Sequence, residues 1–258
     1  MDKTKIQKQS VELTKELNNP KEFCKKLYSI FKSNVNKKAL ANYQRIIPKM
    51  GKTFGTPLPV LRIIAVELGK YGQKNPQPVL SILKILWKNG SFEEQQIVGK
   101  VIERMAKKHP KECLNLIPSF LPTIDNWANC DNLACFGMEP IILSNTNEVL
   151  SLCEKWIKDK NKWVRRFGIV TLRAYKLMPT SDKVFNILDS VMKENEPDVK
   201  KSVSWILREI TKKNPEPIFE FLIKWAKTNP NKDTIWMIKD GMKKLDKKKQ
   251  ERILGLLK

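Results

Sequence analysis

The chain has 258 residues, 41% of them hydrophobic, and 49 Lys+Arg against 27 Asp+Glu give a formal net charge of +22. A chain of this length buries roughly three quarters of its unfolded surface, so it needs no disulfide or metal staple, and its apolar content excludes a disordered polymer. The charge surplus exceeds what internal pairs can neutralise and points to a polyanionic partner, nucleic acid first; the alternative is a lysine-rich surface that only keeps the protein soluble.

Strand-like alternation is almost absent, glycines number only 10, and apolar residues recur at helical spacing, as in Leu80, Ile82, Leu83, Leu86 and in Ile97, Val98, Val101, Ile102, Met105. Residues Met1 to Ser10 are charged and lack the apolar core of a signal sequence, which predicts a cytoplasmic protein. Helices are expected over 20–32, 36–48, 57–71, 76–88, 92–108, 111–120 and 126–143, then over 147–159, 161–177, 182–194, 197–213, 215–228, 232–244 and 247–257. Pro20, Pro57, Pro110 and Pro215 open helices, where a missing N–H costs nothing. Loops of 2–6 residues make neighbouring helices antiparallel, and the basic stretch from Lys243 to Lys249 reads as a capping helix. No run of 18 apolar residues suggests a membrane partner, and no linker divides the chain, so residues 1–258 are read as one domain.

A repeat supports a stack of helix pairs. Trp163 and Arg166 stand three apart, Trp205 and Arg208 repeat that spacing 42 residues later, Trp236 begins a weaker copy, and Trp127 lies 36 residues before Trp163. The expected fold is all-α, a HEAT-like repeat α-solenoid of antiparallel helix pairs whose recurring face lines a concave basic groove.

The five cysteines are odd in number, form no Cys-x-x-Cys pair and have one histidine for company, His109, expected to be exposed in a turn. They read as small core residues in a reducing compartment rather than zinc ligands. No phosphate loop, dinucleotide fingerprint or His-Glu-x-x-His motif is present, so neither a metal nor a cofactor is expected. The most informative segment is Asn126-Trp127-Ala128-Asn129-Cys130-Asp131, which puts a Trp and an Asp on one helical face. A carboxylate in a basic groove repels phosphate, so it either stabilises a developing cation or activates water, or it caps a helix or pairs with an arginine. Trp163 and Trp205 are core residues or ligand platforms. Arg165, Arg166 and Arg208 offer planar forks to phosphate oxygens or pair between helices. Lys52 and Arg173 belong to a wider set of basic residues at plausible groove edges.

Together these residues resemble a known family, the AlkD-type DNA alkylation repair glycosylases. The resemblance runs from about residue 20 to 257. It rests on Phe54-Gly55-Thr56-Pro57 with Pro59 and Arg62, on Leu86-Trp87 followed by Phe92-Glu93-Glu94, on Trp127 with Asp131, on Trp163 with Arg166, and on Trp205 with Leu207-Arg208-Glu209. It implies a monofunctional enzyme that releases positively charged N3- and N7-alkylated purines from duplex DNA, without cofactor or metal and by default as a monomer. Asp131 would be the catalytic carboxylate, Trp127 and Trp205 would pack on the damaged nucleotide's sugar, and Arg166 and Arg208 would hold phosphates. Ala128 and Asn126 stand where many relatives carry an acid and an aromatic. The competing readings are a non-catalytic HEAT-repeat nucleic-acid-binding protein and a protein-interaction scaffold.

Overall fold

Side-chain caps and first-turn prolines mark where the helices begin. In the computed structural model, which describes residues 2–47 and 50–257, every regular element is helical. The described residues form two compact units, divided between Ser144 and Asn145.

The first unit holds α1 (Lys3–Thr14), α2 (Pro20–Ser33), α3 (Lys37–Ile46), α4 (Leu58–Gly72), α5 (Pro76–Asn89), α6 (Phe92–Met105), α7 (Pro110–Leu116), α8 (Trp127–Asn132) and α9 (Met138–Ser144). Helices α1, α4, α6 and α8 pack side by side in one row, with α2 against α1, α5 against α4 and α6, and α7 against α6. The second unit holds α10 (Thr146–Trp156), α11 (Lys162–Thr171), α12 (Asp182–Val191), α13 (Pro197–Thr211), α14 (Pro215–Ala226), α15 (Lys232–Gly241) and α16 (Lys247–Leu254). Its row is α11, α13, α15, backed by α10, α12, α14 and α16. These are HEAT-like antiparallel pairs, each burying an apolar stripe that one helix could not bury alone. Among the described residues no helix is long and apolar enough to cross a membrane.

Several expectations are corrected. Helix α1 lies in the stretch read only as charged: Asp2 caps it by accepting from the Lys5 N–H at 3.0 Å, and Ile6, Ser10 and Leu13 are its buried face. Ser10, on that buried face, donates its hydroxyl to the Ile6 carbonyl at 2.7 Å and needs no water. The helix expected over 126–143 is three pieces, with a π turn at Leu133–Gly137 between α8 and α9. The helix over 161–177 ends in a 3-10 turn at Leu172–Lys176. The helix over 111–120 ends at Leu116, beyond which Pro118 and Pro122 each remove a backbone donor inside a 3-10 turn. The helix over 36–48 stops at Ile46, and residue 48 lies outside the described residues. His109 is not exposed: it is partly buried, with Nε2 3.2 Å from the Gln73 carbonyl and Nδ1 3.4 Å from the Glu112 carboxylate. Cys113, Cys130, Cys135 and Cys153 are core residues, whereas Cys24 is only partly buried; burial pushes the Cys113 thiol up to about 12.

The repeat is also different. Helices α6, α8, α11, α13 and α15 begin at Phe92, Trp127, Lys162, Pro197 and Lys232, each 35 residues after the last. Their N-caps keep the same step: Ser91, Asn126, Asn161, Glu196 and Asn231. The 42-residue offset of Trp163 and Trp205 is therefore not the repeat. Trp163 is the second residue of α11 and Trp205 the ninth of α13, so they sit at different heights on neighbouring helices. In the true register Asp131 and Arg166 are both fifth in their helices, and Arg173 matches Arg208 and Lys243.

Candidate nucleic-acid interface

Six residues make a helix too short to be stable alone, so α8 is held by what it touches. Asn126 caps it by accepting from the Asn129 N–H at 3.0 Å. The Trp127 indole N–H donates to the Ile46 carbonyl at 3.2 Å, and its ring packs with Ala128 on the Tyr43, Ile47 and Phe92 cluster. The ring is thus fixed while part of its surface remains open, the condition for a platform rather than a core residue. Asp131 follows one turn later, partly buried, and makes polar contact within the protein.

Helix α6 braces α8 through neutral amides. Gln96 donates to the Ala128 carbonyl at 3.1 Å and to Asn129 Oδ1 at 2.8 Å, and accepts from Asn132 Nδ2 at 2.7 Å. Asn129 also donates to Gln95. A Cβ on Gly99 would lie 1.8 Å from Asn132 Oδ1, so only glycine lets the two helices approach this closely. One turn beyond Gln96, the Lys100 ammonium lies over the Phe136 ring and 3.1 Å from Glu103, and burial lowers its pKa.

Two motifs that looked separate in sequence are one device. The fully buried Glu93 carboxylate accepts from the backbone N–H groups of Phe54, Gly55 and Thr56 at 2.8–3.0 Å and from the Thr53 hydroxyl at 2.9 Å. Gly55 has φ 78°, the left-handed conformation that lets these amides converge. Glu94 closes the capping box with Ser91 and accepts from Tyr28 at 2.9 Å. This anchored loop carries exposed Lys52, whose ammonium lies 5.4 Å from the Tyr28 ring centroid and 5.6 Å from that of Phe54.

In the second unit Arg166, Arg173 and Arg208 are tied to the next row helix, and Arg165 to loop residues. Arg208 pairs with Asp240 and Arg173 with Glu209 at 3.4 Å, while the Arg173 guanidinium lies 6.0 Å from the Trp205 ring. Arg166 donates to the Asp198 carbonyl. Arg165 donates to Glu194 at 2.9 Å and to the carbonyls of Asp159 and Lys160 at 3.0 Å. Lys162 reaches Asp198 at 2.7 Å, and Lys200 reaches Asp233 at 2.6 Å. Trp163 and Trp205 are both partly exposed, so neither is plain core. Asp240 and Gln96 have no place among the sequence motifs, and Glu93 enters only as part of Phe92-Glu93-Glu94, with no role attached. The signal for Gln96 was Gln95-Gln96 entering the apolar run of Ile97 and Val98, where unpaired amides are costly.

Comparison with known proteins bears on the family and the fold. A family described as DNA alkylation repair enzyme matches residues 27–245. A structure described as a predicted DNA alkylation repair enzyme from Enterococcus faecalis is 17% identical, with TM-score 0.70, 83% of this chain covered and 98% of that one. AlkD2 from Streptococcus mutans is 18% identical, with TM-score 0.56, over 81% of this chain and 99% of its own. The Bacillus subtilis protein YhaZ is 28% identical over 131 residues, 47% of this chain but only 36% of that relative's length. The structural likenesses speak for the fold; the family match covers most of the sequence, and this chain belongs to the DNA alkylation repair enzyme family.

Proposed function

We propose that the chain is a DNA glycosylase that hydrolyses the N-glycosidic bond of positively charged N3- and N7-alkylated purines in duplex DNA. The observation that carries the reading is the pairing of Trp127 and Asp131 one turn apart on α8, both partly accessible on a helix clamped to α6. An alkylated purine already bears positive charge, so when the C1′–N bond breaks the electron pair leaves with a neutral base and no general acid is needed. The sugar becomes oxocarbenium-like. Asp131 stabilises that cation and takes the proton of the water that attacks C1′. The open face of Trp127 packs on the same sugar. In the second unit Arg166, Arg208, Arg165, Arg173, Trp163 and Trp205 are assigned to DNA contacts, as is Lys52 in the first, and the net charge of +22 favours such a partner.

The test is base release from methylated duplex DNA. Wild type is expected to free 3-methyladenine or 7-methylguanine, and Asp131→Asn to lose release by at least about 100-fold while still binding DNA. Salt-sensitive binding without release by either protein would replace this reading with the non-catalytic binder.

A further inference from the structure

The side chains that face α8 from α6 have no part in the chemistry above, yet they fix its geometry. Gln96 is buried, and its amide is fully used: both donor positions go to Ala128 and Asn129, and its oxygen goes to Asn132. The partners straddle Asp131 in sequence. Asn129 precedes it by two residues and Asn132 follows it directly, so the amide spans the turn that carries the carboxylate. A seam of apolar side chains would let a six-residue helix rotate or slide. Directional hydrogen bonds on both sides of the turn remove that freedom.

The seam is also neutral, although α6 begins with two acids. Glu93 is consumed by the amides of the loop at 54–56, and Glu94 by its capping box, Tyr28 and Asn89. What reaches α8 are the Phe92 ring, packed with Trp127 and Ala128, the amides of Gln95 and Gln96, and the bare backbone at Gly99, none of them charged. An uncharged brace orients a neighbouring carboxylate without repelling it.

We propose that Gln96 is the positioning residue for the Asp131 carboxylate, acting through Asn129 and Asn132 across the notch at Gly99. The proposal rests on the reading of Asp131 as the group that assists bond cleavage. Displacing a reacting group by about 1 Å can cost on the order of 100-fold in rate.

The experiment is single-turnover release of 7-methylguanine from methylated duplex DNA at saturating enzyme. It uses full-length wild type, Asp131→Asn, Gln96→Leu and Gln96→Glu, with DNA affinity and thermal melting measured on each. Gln96→Leu is expected to lower the release rate by about 100-fold with DNA affinity within about twofold. In Gln96→Glu the introduced carboxyl is buried, which favours its protonated form, and only that form can donate. Its rate relative to wild type at the same pH should therefore rise about tenfold from pH 8 to pH 5.5. That pH rescue is a readout a purely structural role would not give, and it applies even if Gln96→Leu fails to fold. If Asp131→Asn abolishes release but the Gln96 variants act like wild type, the brace is overturned and the reading of Asp131 stands. If Asp131→Asn still releases base, that reading fails first, and this proposal fails with it. A flat pH ratio for a folded, slow Gln96→Glu would also overturn the brace.

Discussion

Glu93 shows how one buried carboxylate replaces a stretch of regular structure. The loop from Thr53 to Thr56 has three backbone donors and a hydroxyl turned inward, and Glu93 accepts all of them. Hydrogen bonds to a charged group are worth roughly 1.5–3 kcal/mol each and are not additive. Glu93→Ala is expected to cost about 3 kcal/mol or more, read from the urea midpoint, and to loosen Lys52. A loss below about 1 kcal/mol would mean that water takes over the loop's donors. Arg165 spends its donors on Glu194 and two carbonyls, so it braces the second unit as much as it offers charge.

At the scale of elements, α8 is defined by its contact with α6 rather than by propensity. Gly99 is a point of close approach, with Asn132 in the space a Cβ would fill. Gly99→Ala should force the helices apart at a cost of about 2 kcal/mol, typical of an overpacked site. Thermal denaturation measures this, and a melting point unchanged within about 1 °C would show that the seam yields freely. The π turn after α8 belongs here too. It lets Asp131 and the buried residues of α9 satisfy different faces within a segment whose hydrophobic pattern looks like one continuous helix.

For the whole molecule, the charge of +22 sets how binding responds to salt. Affinity for undamaged duplex is expected to fall steeply with salt, with a log–log slope of about −0.9 per phosphate contact. Arg166→Ala and Lys52→Ala should each make the slope shallower by about that amount. Arg165→Ala should make the slope shallower as well and also lower stability, because it removes the charged partner of the Glu194 carboxylate. A slope near zero for wild type would remove DNA as the partner and favour a protein-interaction scaffold.

Much of this was readable from the residues alone. Helical periodicity, first-turn prolines and short polar loops specify antiparallel helix pairs because they are local signals. The cap residues Ser91, Asn126, Asn161 and Asn231 even carry the 35-residue step in plain sight, while the conspicuous tryptophans suggested a wrong one. The charge surplus and the Trp127, Asp131 spacing point to the proposed chemistry for the same reason: both are properties of composition or of one helical turn. What only the tertiary structure decided depends on partners far apart in the chain. Ser10 could be buried because its hydroxyl bonds within its own helix, but Glu93 has meaning only with residues 53–56, Gln96 only with 128–132, and Arg208 only with Asp240. A buried polar side chain takes its role from the group that satisfies it, and that group is fixed by packing, not by neighbours in sequence.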